Sequence, residues 1–218
     1  NCAVVVLDSR TGGIAAMACT PSFNPGKIDE YMGNDSSELV NKATQGEYAP
    51  GSVFKIVVAA AALEDGIEKD KTYTCTPETI IGDIEMKCET GGDEGHGGIN
   101  FEEAFAQSCN SFFIQLGRDI GSEKITAMAE KMGFGAKALK DYPQEKAGHV
   151  MTKRECSGAG VGNLSIGQGQ TLVTPLQVAR MTNIIASGGI DRGVHILMEE
   201  DASEKQILSK NTTDEITR

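Results

Sequence analysis

No apolar run in the 218 residues approaches the length of a membrane span. The longest, Ile56 to Leu63, falls far short of the roughly 20 residues that a helix needs to cross a bilayer. A charged start leading into an apolar signal core is missing as well. The chain enters directly in Cys2-Ala3-Val4-Val5-Val6-Leu7, which reads as a core strand. A signal or anchor is therefore expected outside these residues. Positive charge is scarce: 20 Lys and Arg face 31 Asp and Glu, for a formal net charge of −11. Such a surface repels phosphate backbones, so no nucleic-acid partner is expected. Internal repeats and low-complexity segments are absent too. The six cysteines are scattered over a chain large enough to bury a core, which argues against a disulfide-stapled miniprotein.

What is present suits one globular domain, or one large and one small lobe: 39% hydrophobic and 23% charged residues. Residues 2–8 and 13–19 are short apolar runs joined by Ser9-Arg10-Thr11-Gly12 and read as a β-hairpin. Residues 20–50 hold Pro, Gly, Asn and Ser without a sustained period, which predicts loop and short helix. Residues 52–65 predict a helix, with Pro50-Gly51 before it, alanines inside it and Gly66 placed to end it. Residues 73–99 predict a small hairpin subregion. Asn100-x-x-Glu103 is a capping box before a helix ending near Gln107, and further helices are expected at about 111–119 and 122–132. Thr174-Pro175-x-Gln177 opens another, running to Gly188-Gly189. Thr212-x-x-Glu215 is a helix-start signal with no helix behind it before Arg218, which predicts a truncation.

Two short patterns carry chemistry. A serine is a weak nucleophile unless a neighbouring base takes its proton. In Ser52-Val53-Phe54-Lys55 the two polar residues lie one helical turn apart, so their side chains can meet. The apolar company of Val53, Phe54 and Ile56 could desolvate Lys55 and lower its pKa into the range of a base. The helix N-terminus also favours a developing oxyanion, with the Ser52 amide as one donor. Ser-x-x-Lys is expected about once by chance in a chain this long. It occurs once here, at a helix start after Pro-Gly. Ser108-Cys109-Asn110 is the second pattern. Ser-x-Asn also occurs at Ser22-Phe23-Asn24 and Ser209-Lys210-Asn211, but only Ser108 lies between two predicted helices downstream of Ser52. A plain alternative makes Ser108 a cap for a helix beginning near Ser111. Gly158 to Gly169 is no phosphate loop, for it lacks the Lys-Ser/Thr ending and a preceding strand. His149 and His195 have no partner pattern and read as ordinary surface or core residues.

The segment Asn41-Lys42-Ala43-Thr44-Gln45-Gly46-Glu47-Tyr48-Ala49-Pro50-Gly51-Ser52-Val53-Phe54-Lys55 closely resembles the nucleophile segment of class B penicillin-binding proteins. Agreement continues in family order through Thr11-Gly12-Gly13 with Pro21-Ser22-Phe23-Asn24-Pro25, His96-Gly97 and Ser108-Cys109-Asn110-Ser111-Phe112-Phe113. It ends in Ser165-Ile166-Gly167-Gln168-Gly169 and Thr174-Pro175-Leu176-Gln177. The resemblance covers nearly the whole chain. It implies the α/β (α+β) fold shared with serine β-lactamases, a helical lobe beside an antiparallel sheet. It also implies a peptidoglycan D,D-transpeptidase at the outer face of the cytoplasmic membrane, working beside other cell-wall synthesis proteins. Ser52 would attack the D-Ala-D-Ala carbonyl of a stem peptide with help from Lys55. Ser108 would relay protons, and Asn110 would bond the substrate amide and Lys55. A β-lactam would acylate Ser52. The runner-up activities are a D,D-carboxypeptidase or β-lactamase, and outside enzymes a β-lactam sensor or a scaffold. The family's third motif, Lys-Thr/Ser-Gly on a sheet-edge strand, does not occur in these residues. Residues 1–218 are accordingly expected to be a partial domain, inactive or nearly so by itself.

No cofactor is required for that chemistry. Cys75, Cys88, His96 and Cys109 are nevertheless soft or borderline ligands that suit tetrahedral zinc. Their spacing is not that of a compact finger, and zinc, a Cys75–Cys88 bridge and buried free thiols all fit it. Similarity to relatives that carry zinc there implies a structural metal bracing the loop of Ser108 and Asn110, with Asp93 as an alternative ligand. Cys109 should then point away from the substrate side.

Overall fold

The structure is a computed structural model and describes all residues except 33–36, 69, 82–83, 140–141 and 197–203. The chain opens on an antiparallel hairpin, β1 (Cys2–Leu7) and β2 (Ile14–Thr20), with a bulge between Val6 and Leu7. Alternation along β1 turns Val5 and Leu7 inward, where they join Ile14, Leu139, Leu176 and Val194 in a small core under the sheet. Val4 and Val6 face outward. A 3-10 turn at Pro25–Glu30 and a one-turn helix, α1 (Lys42–Gln45), fill the segment after β2.

A 3-10 turn at Gly51–Phe54 runs into α2 (Lys55–Glu64). Val57, Val58 and the alanines 59–62 are all buried, so α2 is apolar on every face and forms the axis of the helical lobe. Gly66 follows its last turn, as the sequence predicts. The subregion 73–99 is two nested pairs: β3 (Tyr73–Cys75) with β6 (Gly97–Ile99), enclosing the hairpin β4 (Glu78–Ile81) and β5 (Ile84–Lys87).

The Asn100 capping box starts α3 (Phe101–Ala106). Next come α4 (Asn110–Ile120) and α5 (Ser122–Lys131). The glycine-rich stretch folds as α6 (Gly160–Ser165) and a turn. The Thr174 capping box and Pro175 start α7 (Pro175–Ala186), which packs on β1. A short pair, β7 (Ile190–Asp191) and β8 (Lys205–Gln206), precedes α8 (Lys210–Thr217).

One expectation needs correction and one alternative falls. The last helix does not begin at Thr212. Ser209 caps it, its hydroxyl accepting from the Thr212 amide at 3.1 Å, while the Thr212 hydroxyl donates to Glu64 at 2.5 Å. A helix therefore does occupy the residues before Arg218. The helix after Ser108 is likewise not capped by Ser108, because the Cys109 sulfur accepts from the Phe112 amide at 3.3 Å.

Candidate active site

The 3-10 turn at Gly51–Phe54 sets the spacing of the first pair. With three residues per turn, positions i and i+3 eclipse, so Lys55 stands directly over Ser52. Ser52 is exposed at the mouth of a cleft, whereas Lys55 is only 2% exposed. Lys55 Nζ lies 3.2 Å from Ser52 Oγ, 3.0 Å from Ser108 Oγ, 2.6 Å from the Ser108 carbonyl and 2.7 Å from Asn110 Oδ1. The structure thus brings together all four residues singled out for catalysis.

The proton inventory of this cluster decides what it can do. The Ser108 carbonyl and Asn110 Oδ1 can only accept, and they are the two nearest oxygens. A neutral lysine amine has two hydrogens, which those acceptors take. Its lone pair is then left for the hydroxyls of Ser52 and Ser108. Burial, partly opposed by the charges of Cys109 and Cys88, pushes the Lys55 pKa down to about 8. The Phe113 ring, 5.7 Å away, closes the apolar side.

Ser108 is the one non-glycine residue among those described with a positive φ, at 53°. That left-handed turn is what lets both its carbonyl and its hydroxyl reach Lys55. Asn110 is oriented from behind, its Nδ2 donating to the Lys87 carbonyl at 3.1 Å. The cleft has a volume of about 610 Å³, with Glu85, Met86 and Lys87 from β5 on one wall and Asn163, Ile166 and Gln168 on the other. A larger apolar hollow of about 720 Å³ lies beside β1, lined by residues such as Val4, Val6 and Val178; it contains neither Ser52 nor Lys55. Sequence reasoning missed the Lys87 carbonyl, and it singled out the turn at residues 166–169 only within the resemblance, without its contact to Gly51. Both contribute backbone groups across long sequence separations.

Behind Ser108 the four expected ligands converge, with their ligand atoms all within 4.8 Å of one another. Cys75 Sγ and Cys88 Sγ lie 3.3 and 3.6 Å from His96 Nδ1, and Cys88 Sγ lies 3.6 Å from Cys109 Sγ. A zinc tetrahedron with Zn–S bonds of about 2.3 Å has edges of roughly 3.6–3.8 Å, so the donor set fits the ion. His96 Nε2 is buried without a hydrogen-bond partner. Burial raises the Cys88 thiol, but hydrogen bonds from the Ser111 backbone and from Cys75 outweigh it and bring the group down to about 6. Burial pushes Cys109 up. Asp93 is not in the group. Cys75 and Cys88 are free thiols and do not face each other across a hairpin, since β3 pairs with β6. His149, read as partnerless, meets Glu155 at 3.1 Å, and His195 is buried.

A helical lobe beside an antiparallel sheet, with serine and lysine paired at the start of the central helix, is the arrangement of the active-site-serine penicillin-recognising proteins. The chain belongs to the penicillin binding protein transpeptidase domain family, which matches residues 2–218. It is 30% identical to the peptidoglycan D,D-transpeptidase PbpA of Mycolicibacterium smegmatis, over 99% of this chain and 46% of that protein. It is 31% identical to MrdA of Escherichia coli, over 94% of this chain and 35% of that protein. The solved imipenem acyl-enzyme of Mycobacterium tuberculosis penicillin-binding protein A superposes with a TM-score of 0.88 at 26% identity, covering 99% of this chain and 55% of that one. Helicobacter pylori PBP2, solved in complex with MreC, superposes with a TM-score of 0.83 at 26% identity, covering 99% of this chain and 43% of that one. The chain thus spans between a third and a half of the length of these curated relatives. No helix among the described residues is long and apolar enough to cross a membrane.

Proposed function

We propose that the full-length protein is a peptidoglycan D,D-transpeptidase working at the outer face of the cytoplasmic membrane beside other cell-wall synthesis proteins. The observation that carries this is the single Lys55 amine touching Ser52, Ser108 and Asn110 at once. Neutral Lys55 accepts the Ser52 proton as Oγ attacks the carbonyl of a D-Ala-D-Ala stem. The Ser52 amide at the helix start supports the oxyanion. Ser108 passes a proton to the nitrogen of the departing D-Ala. An amine of a second stem then attacks the acyl-serine, gives up a proton through Ser108 and Lys55, and frees Ser52. Asn110, fixed at one end by Lys55 and at the other by Lys87, keeps one amide hydrogen for the substrate. A β-lactam enters the first half of this cycle and leaves Ser52 acylated. We further place the Lys-Thr/Ser-Gly strand, which would add a second oxyanion donor, elsewhere in the full-length protein. Fluorescent penicillin should label that protein in a one-to-one ratio and fail to label Ser52→Ala; a Ser52→Ala variant that still labelled would refute the assignment.

The second part of the proposal is a structural zinc ion on Cys75, Cys88, His96 and Cys109. Cys109 stands between Ser108 and Asn110 and faces away from them, so a metal there would fix the loop from behind. Purified protein should contain one zinc per chain. Cys88→Ser and His96→Ala should each lower that content and the melting temperature, and unchanged metal in both would rule this ligand set out.

A further inference from the structure

The turn Ile166-Gly167-Gln168 touches the nucleophile segment, and its contact is to backbone. The Gly51 amide donates to the Gly167 carbonyl at 2.9 Å. Gly167 also lies where no larger residue fits. A Cβ there would overlap the Gly51 carbonyl oxygen and come within 2.7 Å of Phe54 Cβ. Its φ of +67° is a second reason for glycine, since side chains other than Asn and Asp rarely accept that region.

The Gly51 carbonyl and the Ser52 N–H belong to one peptide unit. That unit is planar, so its C=O and N–H point in opposite directions and turn together. Gly51 itself sits at φ +58° at the head of the 3-10 turn, where a Cβ would meet only Gln168 Nε2, at an ordinary 3.7 Å. Gly167 leaves no room for the Gly51 carbonyl and a Cβ together, so its lack of a side chain lets the plane, and with it the amide that would face a developing oxyanion, keep this direction.

We infer that Gly167 is a positioning residue for the Ser52 oxyanion donor, acting through the Gly51–Ser52 peptide plane. This rests on the reading of Ser52 as nucleophile. A methyl group at 167 pushes the Gly51 carbonyl away and rotates the Ser52 N–H out of line, and none of its three nearest atoms belongs to Lys55, Ser108 or Asn110.

The test is the reaction of full-length protein with fluorescent penicillin, resolved into pre-covalent affinity and the acylation rate constant. Gly167→Ala is expected to lower the rate constant about 100- to 1000-fold, the usual loss for one oxyanion donor. Its affinity and the midpoint of its pH–rate profile should be unchanged, because neither depends on that amide. Gly148→Ala is the matched control: it also has a left-handed φ (+69°), and its new methyl meets the Leu172 carbonyl oxygen at 2.5 Å, away from the cleft. It should lose a similar amount of melting temperature and keep its acylation rate. Should Gly167→Ala not fold, Gly167→Asn, which tolerates the left-handed region, is measured instead. Acylation of the 167 variant at the wild-type rate would overturn the inference. So would equal rate losses in the Gly148 control, or failure of both 167 variants to fold. A wild-type protein that penicillin does not acylate would instead remove the reading of Ser52 itself.

Discussion

Ser108 shows how one residue can trade stability for geometry. Holding a non-glycine residue in the left-handed region costs roughly 1–2 kcal/mol. Here it aims two oxygens at Lys55. Ser108→Gly should therefore be more stable than Ser108→Ala by about 1 kcal/mol in urea unfolding, although both lose the hydroxyl and both slow turnover. Equal stabilities would mean that the turn carries no strain. Lys55 gives a pH prediction. In the proposed reaction its working form is the neutral amine, and burial brings its pKa down to about 8, so acylation should be lost as pH falls through 8 and level off above it. One unit below that value only about a tenth of the lysines are neutral. Lys55→Arg should abolish the reaction at every accessible pH, because a guanidinium does not deprotonate. Ser52 and Lys55 were legible in the sequence because their meeting depends only on local helical spacing. Ser108 and Asn110 were singled out through the family resemblance, whereas the backbone groups around them were not legible. A carbonyl from Lys87 or Gly167 leaves no mark in residue type, and Ser108 reveals its φ only once the loop closes on Lys55.

At the scale of elements, the helix starts at Asn100 and Thr174 were read correctly from their capping boxes, with Pro175 as a second signal at Thr174. The start was misread at Thr212, where two candidate caps stood close together. Cys109 took the cap from Ser108, whose hydroxyl is spent on Lys55, and Ser209 took it from Thr212, whose hydroxyl is spent on Glu64. In both cases a tertiary contact claimed the side chain. Packing between elements was less visible still. Gly117 in α4 crosses α6 so closely that a Cβ there would run into the Ser165 hydroxyl and lie 3.3 Å from Ile125 Cδ1. Gly117→Val should therefore cost about 1–3 kcal/mol by overpacking, read as a lower urea midpoint with an unchanged slope. If the variant is as stable as wild type, α4 and α6 can part without loss. Such a result would also weaken the view that α4 rigidly holds Asn110 at its first turn.

At the scale of the molecule, the described residues build one wall of a reaction more fully than the other. Ser52, Ser108 and Asn110 all converge within hydrogen-bond distance of Lys55 Nζ. One oxyanion donor is at hand in the Ser52 amide, but the tripeptide that supplies the second in this family is not in the sequence. Meanwhile the outer residues of β1, Val4 and Val6, are about half exposed beside an apolar hollow of about 720 Å³. Since loss of a single oxyanion donor costs about 100- to 1000-fold in rate, residues 1–218 alone should react with fluorescent penicillin at least 100-fold more slowly than the full-length protein. The deficit should fall on the acylation rate constant and leave the dependence on pH near 8, because Lys55 and its partners lie wholly within these residues. Equal rates for the two would mean that the family's second donor is dispensable here and that the Ser52 amide, held by Gly167, carries the oxyanion alone.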